Sequence, residues 1–362
     1  MSVRRPLLLP LAPLYGAVLA LKRRLFQWGW LPQRRLQNPV ISVGSISAGG
    51  AGKTPMVLML ARTLRHRGYE VRILTRGYKR SSSIVTRVEP FDDAAWHGDE
   101  AVLLAQRSGV PVYVGADRYE AGMMAEKEES SERTMIESRT SIQSRTPVQS
   151  RTLVHLLDDG FQHRQLTRDV DIVLLTQADV EDNLLPAGNL REPLAAVAEA
   201  DVVVLREEEE DSLRSVVAGL DGAGLTRAPA IWVIRRSLSL GEGGEVALPS
   251  RPFAFCGIAR PESFTKMLAA NGYQPMDTMI FPDHHVYDEG DMRRLLERAR
   301  LAEANGFVTT EKDAVKLTTV LRDRLETIGP IVVARLSVEF VEEQEALSQL
   351  IAMVGGLDRR KR

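Results

Sequence analysis

The feature that most limits how this chain folds is the run VISVGSISAGGAGKTP at residues 40–55. An apolar strand pattern passes into a glycine-rich turn and then into a helix beginning at Lys53, which is the context a phosphate-binding loop requires. Gly49, Gly50 and Gly52 let successive backbone N–H groups converge on phosphate oxygens, and the helix N-terminus adds its dipole. Lys53 is placed to neutralise β- and γ-phosphate charge, and the Thr54 hydroxyl to hold Mg2+. The match to G-x-x-x-x-G-K-[ST] is incomplete, because Ser47 stands at the first glycine position. A dinucleotide fingerprint fails, because Pro55 occupies its third glycine position.

Around this loop, apolar runs at 40–44, 71–75, 110–114, 153–159, 171–175 and 201–205 alternate with helical patterns. Runs of this kind are strands buried on both faces, so the class is α/β: a P-loop NTPase-like parallel sheet flanked by helices. An acidic run at 207–211 and a glycine-rich stretch to about 245 then interrupt the pattern. It resumes with a strand at 252–258, a helix from Pro261 to about Ala270, a strand near 277–281, a helix near 288–304, an apolar run opening FVTTEKD (307–313) and a last helix near 342–354. With 362 residues the chain has room for two cores. The expected division is a basic segment at 1–36, a phosphate-loop core at 37–235 and a smaller C-terminal α/β domain at 236–362. Three polar hexads sharing Ser-Arg-Thr, at 137–152, read as a mobile surface insertion.

Charge narrows the partners. Residues 1–69 hold eleven basic side chains and no acid, although the whole chain is close to neutral. A cationic end seeks phosphates of nucleotide, nucleic acid or lipid. Residues 6–21 are uncharged and mostly apolar, and are followed by Lys22, Arg23, Arg24, Trp28 and Trp30. That stretch is short of the ~20 residues a span needs and contains three prolines, so it suits lying among headgroups. Interleaved Leu and Pro, in place of a basic helix, argue against nucleic acid. The single thiol, Cys256, rules out an internal disulfide and fits a reducing compartment.

Other polar clusters carry candidate chemistry. Asp158 and Asp159 end an apolar run, where a carboxylate can orient Mg2+. HGDE (97–100) holds Asp99, LLPAGNLREP (184–193) holds Arg191 and Glu192, and FPDHHVYD (281–288) holds His284 and His285. Singly, each has a plain structural reading: Asp99 as a helix cap, the histidines as a solvated loop pair, Arg191 and Glu192 as first-turn residues.

Together these segments, with TRGYKR (75–80), GIARPESF (257–264) and TTEKDAVKL (309–317), resemble the tetraacyldisaccharide 4′-kinase family of the Gram-negative lipid A pathway over nearly the whole chain. LDDGFQHR (157–164) and LPAGNLREP (185–193) are its most specific motifs. Ser45 departs from the family's loop, which opens Val-Gly-Asn, and the hexads look like an insertion. The resemblance implies a lipid kinase that transfers the γ-phosphoryl group of ATP to the 4′-hydroxyl of a tetraacylated disaccharide 1-phosphate. It would work peripherally at the cytoplasmic face of the inner membrane, with Mg2+ and with no nucleic acid or obligate protein partner. It implies Lys53 and Thr54 for phosphates and metal, Asp158 and Asp159 for the metal network, Asp99 and His284 for catalysis, and Tyr78, Arg191 and Glu192 as further site residues. Because Asp99 and His284 fall in different expected domains, the site should lie between them. Partition-type nucleotide switches are disfavoured, since Ala48 stands where they carry an early lysine.

Overall fold

The apolar runs do form strands, and the computed structural model, which describes residues 5–140, 152–220, 228–241 and 248–359, joins them into one sheet. In chain order they are β1 (Val40–Ser45), β2 (Glu70–Thr75), β3 (Thr86–Val88), β4 (Val112–Val114), β5 (Leu153–Asp158), β6 (Val170–Leu174), β7 (Val202–Arg206), β8 (Ala230–Leu240), β9 (Pro252–Cys256), β10 (Asp277–Ile280), β11 (Gly306–Thr310) and β12 (Ile331–Phe340). Their order across the sheet is β10-β9-β11-β12-β8-β7-β6-β1-β5-β2-β4-β3. Every pairing is parallel except β3 with β4 and β8 with β12.

The β8–β12 pair decides where the site lies. β8 runs beside β7 as far as Ile234, opposite Arg206, and then continues alone past the carboxyl end of β7. There it pairs antiparallel with β12, from Ile234↔Phe340 to Leu240↔Ala334. β12, and with it the parallel β11, β9 and β10, therefore runs back toward the first half. As a result the carboxyl edges of the two halves face each other, and in α/β sheets that edge is where ligands bind. The boundary expected between residues 235 and 236 falls inside β8, so the sheet is continuous across it.

In the first half, helices α1 (Ala12–Gln27), α2 (Lys53–His66), α3 (Ala94–His97), α4 (Asp99–Ser108) and α5 (Arg118–Thr140) follow the chain. Met56, Leu60 and Leu64 recur at helical spacing on α2 and are fully buried against β1, β2 and β5. Ala346, Leu350 and Val354 of the closing helix Glu343–Arg359 join that same core. The opposite face is covered by α5 through Ala121 and Ala125, against Leu74, Tyr113 and Leu157. A separate aromatic cluster, Phe253, Phe255 and Phe307, fills the second half. The hexads lie outside the described residues from 141 to 151; the first, Ser138-Arg139-Thr140, ends α5.

Prolines are absorbed at the amino end by a short 3-10 turn, Pro6–Leu11, and by the first turn of α1. Leu7, Leu11, Leu14, Val18 and Leu21 are all exposed there. Among the described residues no helix is long and apolar enough to cross a membrane.

Candidate active site

The turn after β1 holds Gly49, Gly50 and Gly52 at φ of 77°, 69° and 99°, the left-handed region that side chains resist. The LPAGNLREP segment braces this turn. Ala48 N donates to Asn189 O at 2.9 Å, and Ile46 O accepts from the N–H groups of Arg191 (2.7 Å) and Glu192 (3.1 Å). Lys53 Nζ donates to Ser45 Oγ at 3.1 Å and lies 3.2 Å from Asp159 Oδ1.

Asp158 and Asp159 behave differently although they are neighbours. Asp159 sits at φ 50° and takes Arg191 Nη1 at 2.7 Å on its other oxygen. Burial works to raise its pKa, but Lys53 and Arg191 outweigh it and hold the carboxyl far below the ordinary range. Asp158 faces inward, where Thr75 Oγ1 donates to its Oδ2 at 3.0 Å. Burial, with Glu100 and Asp159 nearby, pushes it up to about 7. Through Lys53, Asp159 reaches the cradle at the residue that precedes Thr54. Among the described residues no group of three or more His, Cys, Asp or Glu could hold an ion alone.

Asp99 opens α4, and His284 lies in the loop after β10 at φ 58°. His284 Nδ1 is 2.8 Å from Asp99 Oδ2 and 3.1 Å from Oδ1. The Tyr78 ring packs on the imidazole with centroids 5.0 Å apart. Further contacts tie the halves together: Lys312 with Glu100, Arg107 with Glu311, and Lys79 Nζ donating to Asp283 O at 3.3 Å. His284, Asp283 and Lys312 share one cleft with Gly49, Gly50, Gly52, Lys53 and Thr54. Glu192 points elsewhere: it is buried and paired with Arg23 of α1 at 2.6 Å, while Tyr15 OH donates to Arg191 O at 3.2 Å.

A family model described as tetraacyldisaccharide-1-P 4′-kinase matches residues 4–355. The chain belongs to that family. It is 35% identical to the tetraacyldisaccharide 4′-kinase of Koribacter versatilis, over 95% of this chain and 98% of the relative. To the enzyme of that name from Aquifex aeolicus it is 34% identical, over 86% and 90%. The solved structure of LpxK from Aquifex aeolicus in complex with ATP superposes with a TM-score of 0.69 at 30% identity, covering 96% of this chain and 98% of that one. The α/β class read from the strand pattern is thus the fold of a tetraacyldisaccharide 4′-kinase.

In this member of the kinase family two cations to which the sequence reading gave no role also reach the cradle. Arg206, at the end of β7, donates Nη2 to Gly50 O and Ala51 O at 3.3 Å each. Arg260, ahead of the helix Pro261–Ala270, lies so close that a Cβ on Gly50 would meet its side chain at 2.7 Å. The local signal for Arg206 is a basic residue at the end of a buried strand, and Arg260 lies in GIARPESF, a segment matched to the family without this residue being given a role.

Proposed function

We propose that this chain is an ATP-dependent lipid kinase. It transfers the γ-phosphoryl group to the 4′-hydroxyl of a tetraacyldisaccharide 1-phosphate, a lipid A precursor, at the cytoplasmic face of the inner membrane. The observation that carries the reading is one cleft in which the glycine cradle faces His284, itself bonded to Asp99. The relatives' names supply the acceptor, and the ATP bound by the Aquifex aeolicus protein supplies the donor.

A sugar hydroxyl is a poor nucleophile, and a loose phosphoryl-transfer transition state gains mainly from alignment and charge neutralisation. The N–H groups of the cradle and Lys53 grip the triphosphate, and Arg206 fixes the cradle's shape from behind. Asp99 and His284 act as one unit that accepts the hydroxyl proton as the new P–O bond forms. Tyr78 keeps the imidazole against Asp99.

Mg2+ fits Thr54, Asp158 and Asp159. Asp159 Oδ1 is buried with only Lys53 Nζ beside it, at 3.2 Å and without a hydrogen bond, and Asp158, buried near Glu100 and Asp159, is short of positive charge, which pushes it up to about 7. One or two carboxylates plus substrate phosphates is the donor set this ion prefers. When bound, it would neutralise phosphate oxygens.

The acceptor's acyl chains stay in the bilayer, so its hydroxyl meets the enzyme at the surface. The exposed apolar residues of the amino-terminal segment, with Lys22 and Arg24, suit that interface. Arg23 and Tyr15 tie α1 to the segment that braces the cradle. The test is transfer from γ-labelled ATP to tetraacyldisaccharide 1-phosphate in micelles. Label on the lipid at the 4′-position supports the reading; ATP turnover with unlabelled lipid contradicts it.

A further inference from the structure

One cation over the cradle has no role in that mechanism, and it comes from the other half of the sheet. β9 ends at Cys256, and the loop 257–260 leads into the helix Pro261–Ala270. Both ends of this loop are fastened. Gly257 N–H donates to the two carboxylate oxygens of Asp313, at 3.1 and 3.0 Å, and Asp313 is fully buried. Phe264 and Leu268 seat the helix against Ala254, Cys256 and Val308. Pro261, whose ring presets a helical φ, opens that helix, so Arg260 projects from a fixed corner.

That corner lies on the glycine turn. A methyl group on Gly49 would meet Ala259 Cβ at 3.1 Å, and one on Gly50 would meet Cγ, Cδ and Nε of Arg260 at 2.7 Å each. Gly50 therefore offers bare backbone to the arginine stem as well as to phosphate. The guanidinium ends 3.8 Å from Asp179 Oδ1, beyond hydrogen-bond length. Asp179 is itself committed, because its Oδ2 accepts from Thr176 N at 2.9 Å and from Thr176 Oγ1 at 2.8 Å. Among the described residues the Arg260 side chain makes no hydrogen bond, so Asp179 offsets its charge and leaves its donors open. Arg206, paired with Glu209 at 3.3 Å, and Arg236, paired with Glu208, line the same cleft. Burial lowers the Arg206 pKa, and Arg236 and Arg260 add to that against Glu209 and Glu208. A polyanion in the cleft relieves this crowding, and a planar guanidinium fork matches phosphate oxygens.

We infer that Arg260 is a further catalytic residue, which reaches over the cradle from the second half and meets the oxygen that joins the β- and γ-phosphorus of ATP. This rests on the transfer named under Proposed function. In that transfer the bond from the γ-phosphorus to the bridging oxygen breaks and its electron pair stays on ADP. The acceptor oxygen forms the new bond, and the hydroxyl proton passes to the Asp99–His284 pair. In a loose transition state bond breaking runs ahead, so negative charge grows on the bridging oxygen. A guanidinium placed there stabilises the transition state more than bound ATP, and it speeds transfer without tightening nucleotide binding. The cradle and Arg260 belong to opposite sides of the β8–β12 pair, so this charge joins the site only through the turn of the second half toward the first.

The test is transfer from saturating γ-labelled ATP to tetraacyldisaccharide 1-phosphate by wild type, Arg260→Ala and Arg260→Gln, beside titration of each with a non-hydrolysable ATP analogue. Arg260→Ala should slow transfer about 10²-fold, the scale of one lost transition-state donor, while analogue affinity and melting temperature stay near wild type. Added guanidinium ion should restore part of the rate to Arg260→Ala and add nothing to wild type, a response that a merely structural role would not give. Arg260→Gln, which keeps most of the stem on Gly50 and loses the charge, should slow transfer alike, and it decides the matter if Arg260→Ala does not fold. An unchanged rate, or a loss of rate matched by an equal loss of analogue affinity, would overturn the assignment and leave the kinase reading standing. Wild type that labels no lipid would refute the transfer itself, and the part of Arg260 with it.

Discussion

His284 Nδ1 lies 2.8 Å from Asp99 Oδ2 across the cleft, although 185 residues separate the two. Burial works against both charges, but their hydrogen bond and mutual attraction outweigh it. Asp99 therefore stands below the ordinary carboxylate value and His284 above the ordinary imidazole value. The stabilisation from His284 is complete below about pH 6.5 and is lost as pH rises through its raised value. That from Asp99 is present above about pH 4 and is lost as pH falls through its lowered value. Between those limits the contact ties the halves together. Accepting a proton needs the pair deprotonated, so kcat/KM should rise with pH along a limb above about 6.5. His284→Ala should move that limb down into the carboxylate range; a profile that the substitution leaves in place would remove the imidazole from the pair.

Gly50 tests the cradle. Its φ is 69°, and the Arg260 side chain stands 2.7 Å from where a Cβ would project, which leaves no comfortable place for a methyl group. A left-handed non-glycine residue costs about 1–2 kcal/mol. Gly50→Ala should weaken ATP binding about tenfold, while the melting temperature stays near wild type because the loop is at the surface of the cleft. Titration with a non-hydrolysable ATP analogue reads this directly, and unchanged affinity would show that the loop does not grip phosphate.

Gly44 tests the scaffold beneath it. A Cβ there would sit 2.5 Å from Phe161 Cβ and 2.9 Å from Phe161 N. The backbone after Asp159 must therefore yield. Gly44→Ala should destabilise by about 1–3 kcal/mol, as overpacked cores do, and lower the melting temperature. Wild-type stability would mean that β1 and the Asp-Asp-Gly-Phe turn are not in contact.

Leu14, Val18 and Leu21 are 64%, 57% and 55% exposed on α1, spaced to share one helical face. Replacing all three by Glu should cut liposome partitioning at least about tenfold and raise KM for the lipid, since each apolar side chain contributes about 1.5–3 kcal/mol when fully buried. ATP binding should not change. These substitutions spare Arg23 and Tyr15, whereas removing residues 1–30 would also sever the contacts with Glu192 and Arg191. Unaltered partitioning of the triple variant would take α1 off the membrane.

Much of the scaffold was legible because β1, β2, β5, β6 and β7 are buried along nearly their whole length and read as mostly apolar runs, interrupted only singly by residues such as Arg72, His155 and Asp171. The glycine turn and α2 were equally plain. What the pattern hid was β8 and β12. In β8 the residues Arg235-Arg236-Ser237-Leu238-Ser239-Leu240 alternate with solvent, so a glycine-rich linker was the natural reading. That pair turns the second half around and sets His284, Arg260 and Lys312 over the cradle, a juxtaposition no local signal contains. Nor could the dipeptide Asp158-Asp159 reveal which carboxylate faces Thr75 and which meets Lys53 and Arg191.

The most direct measurement is single-turnover transfer of labelled γ-phosphate from ATP to tetraacyldisaccharide 1-phosphate by wild type, Asp99→Ala, His284→Ala and the double variant. Asp99→Ala should slow transfer about 10²–10⁴-fold, His284→Ala should slow it less, and the double variant should be little worse than Asp99→Ala alone, with ATP affinity intact throughout. Full rates in both single variants would contradict a proton-accepting pair that spans the two halves of the sheet.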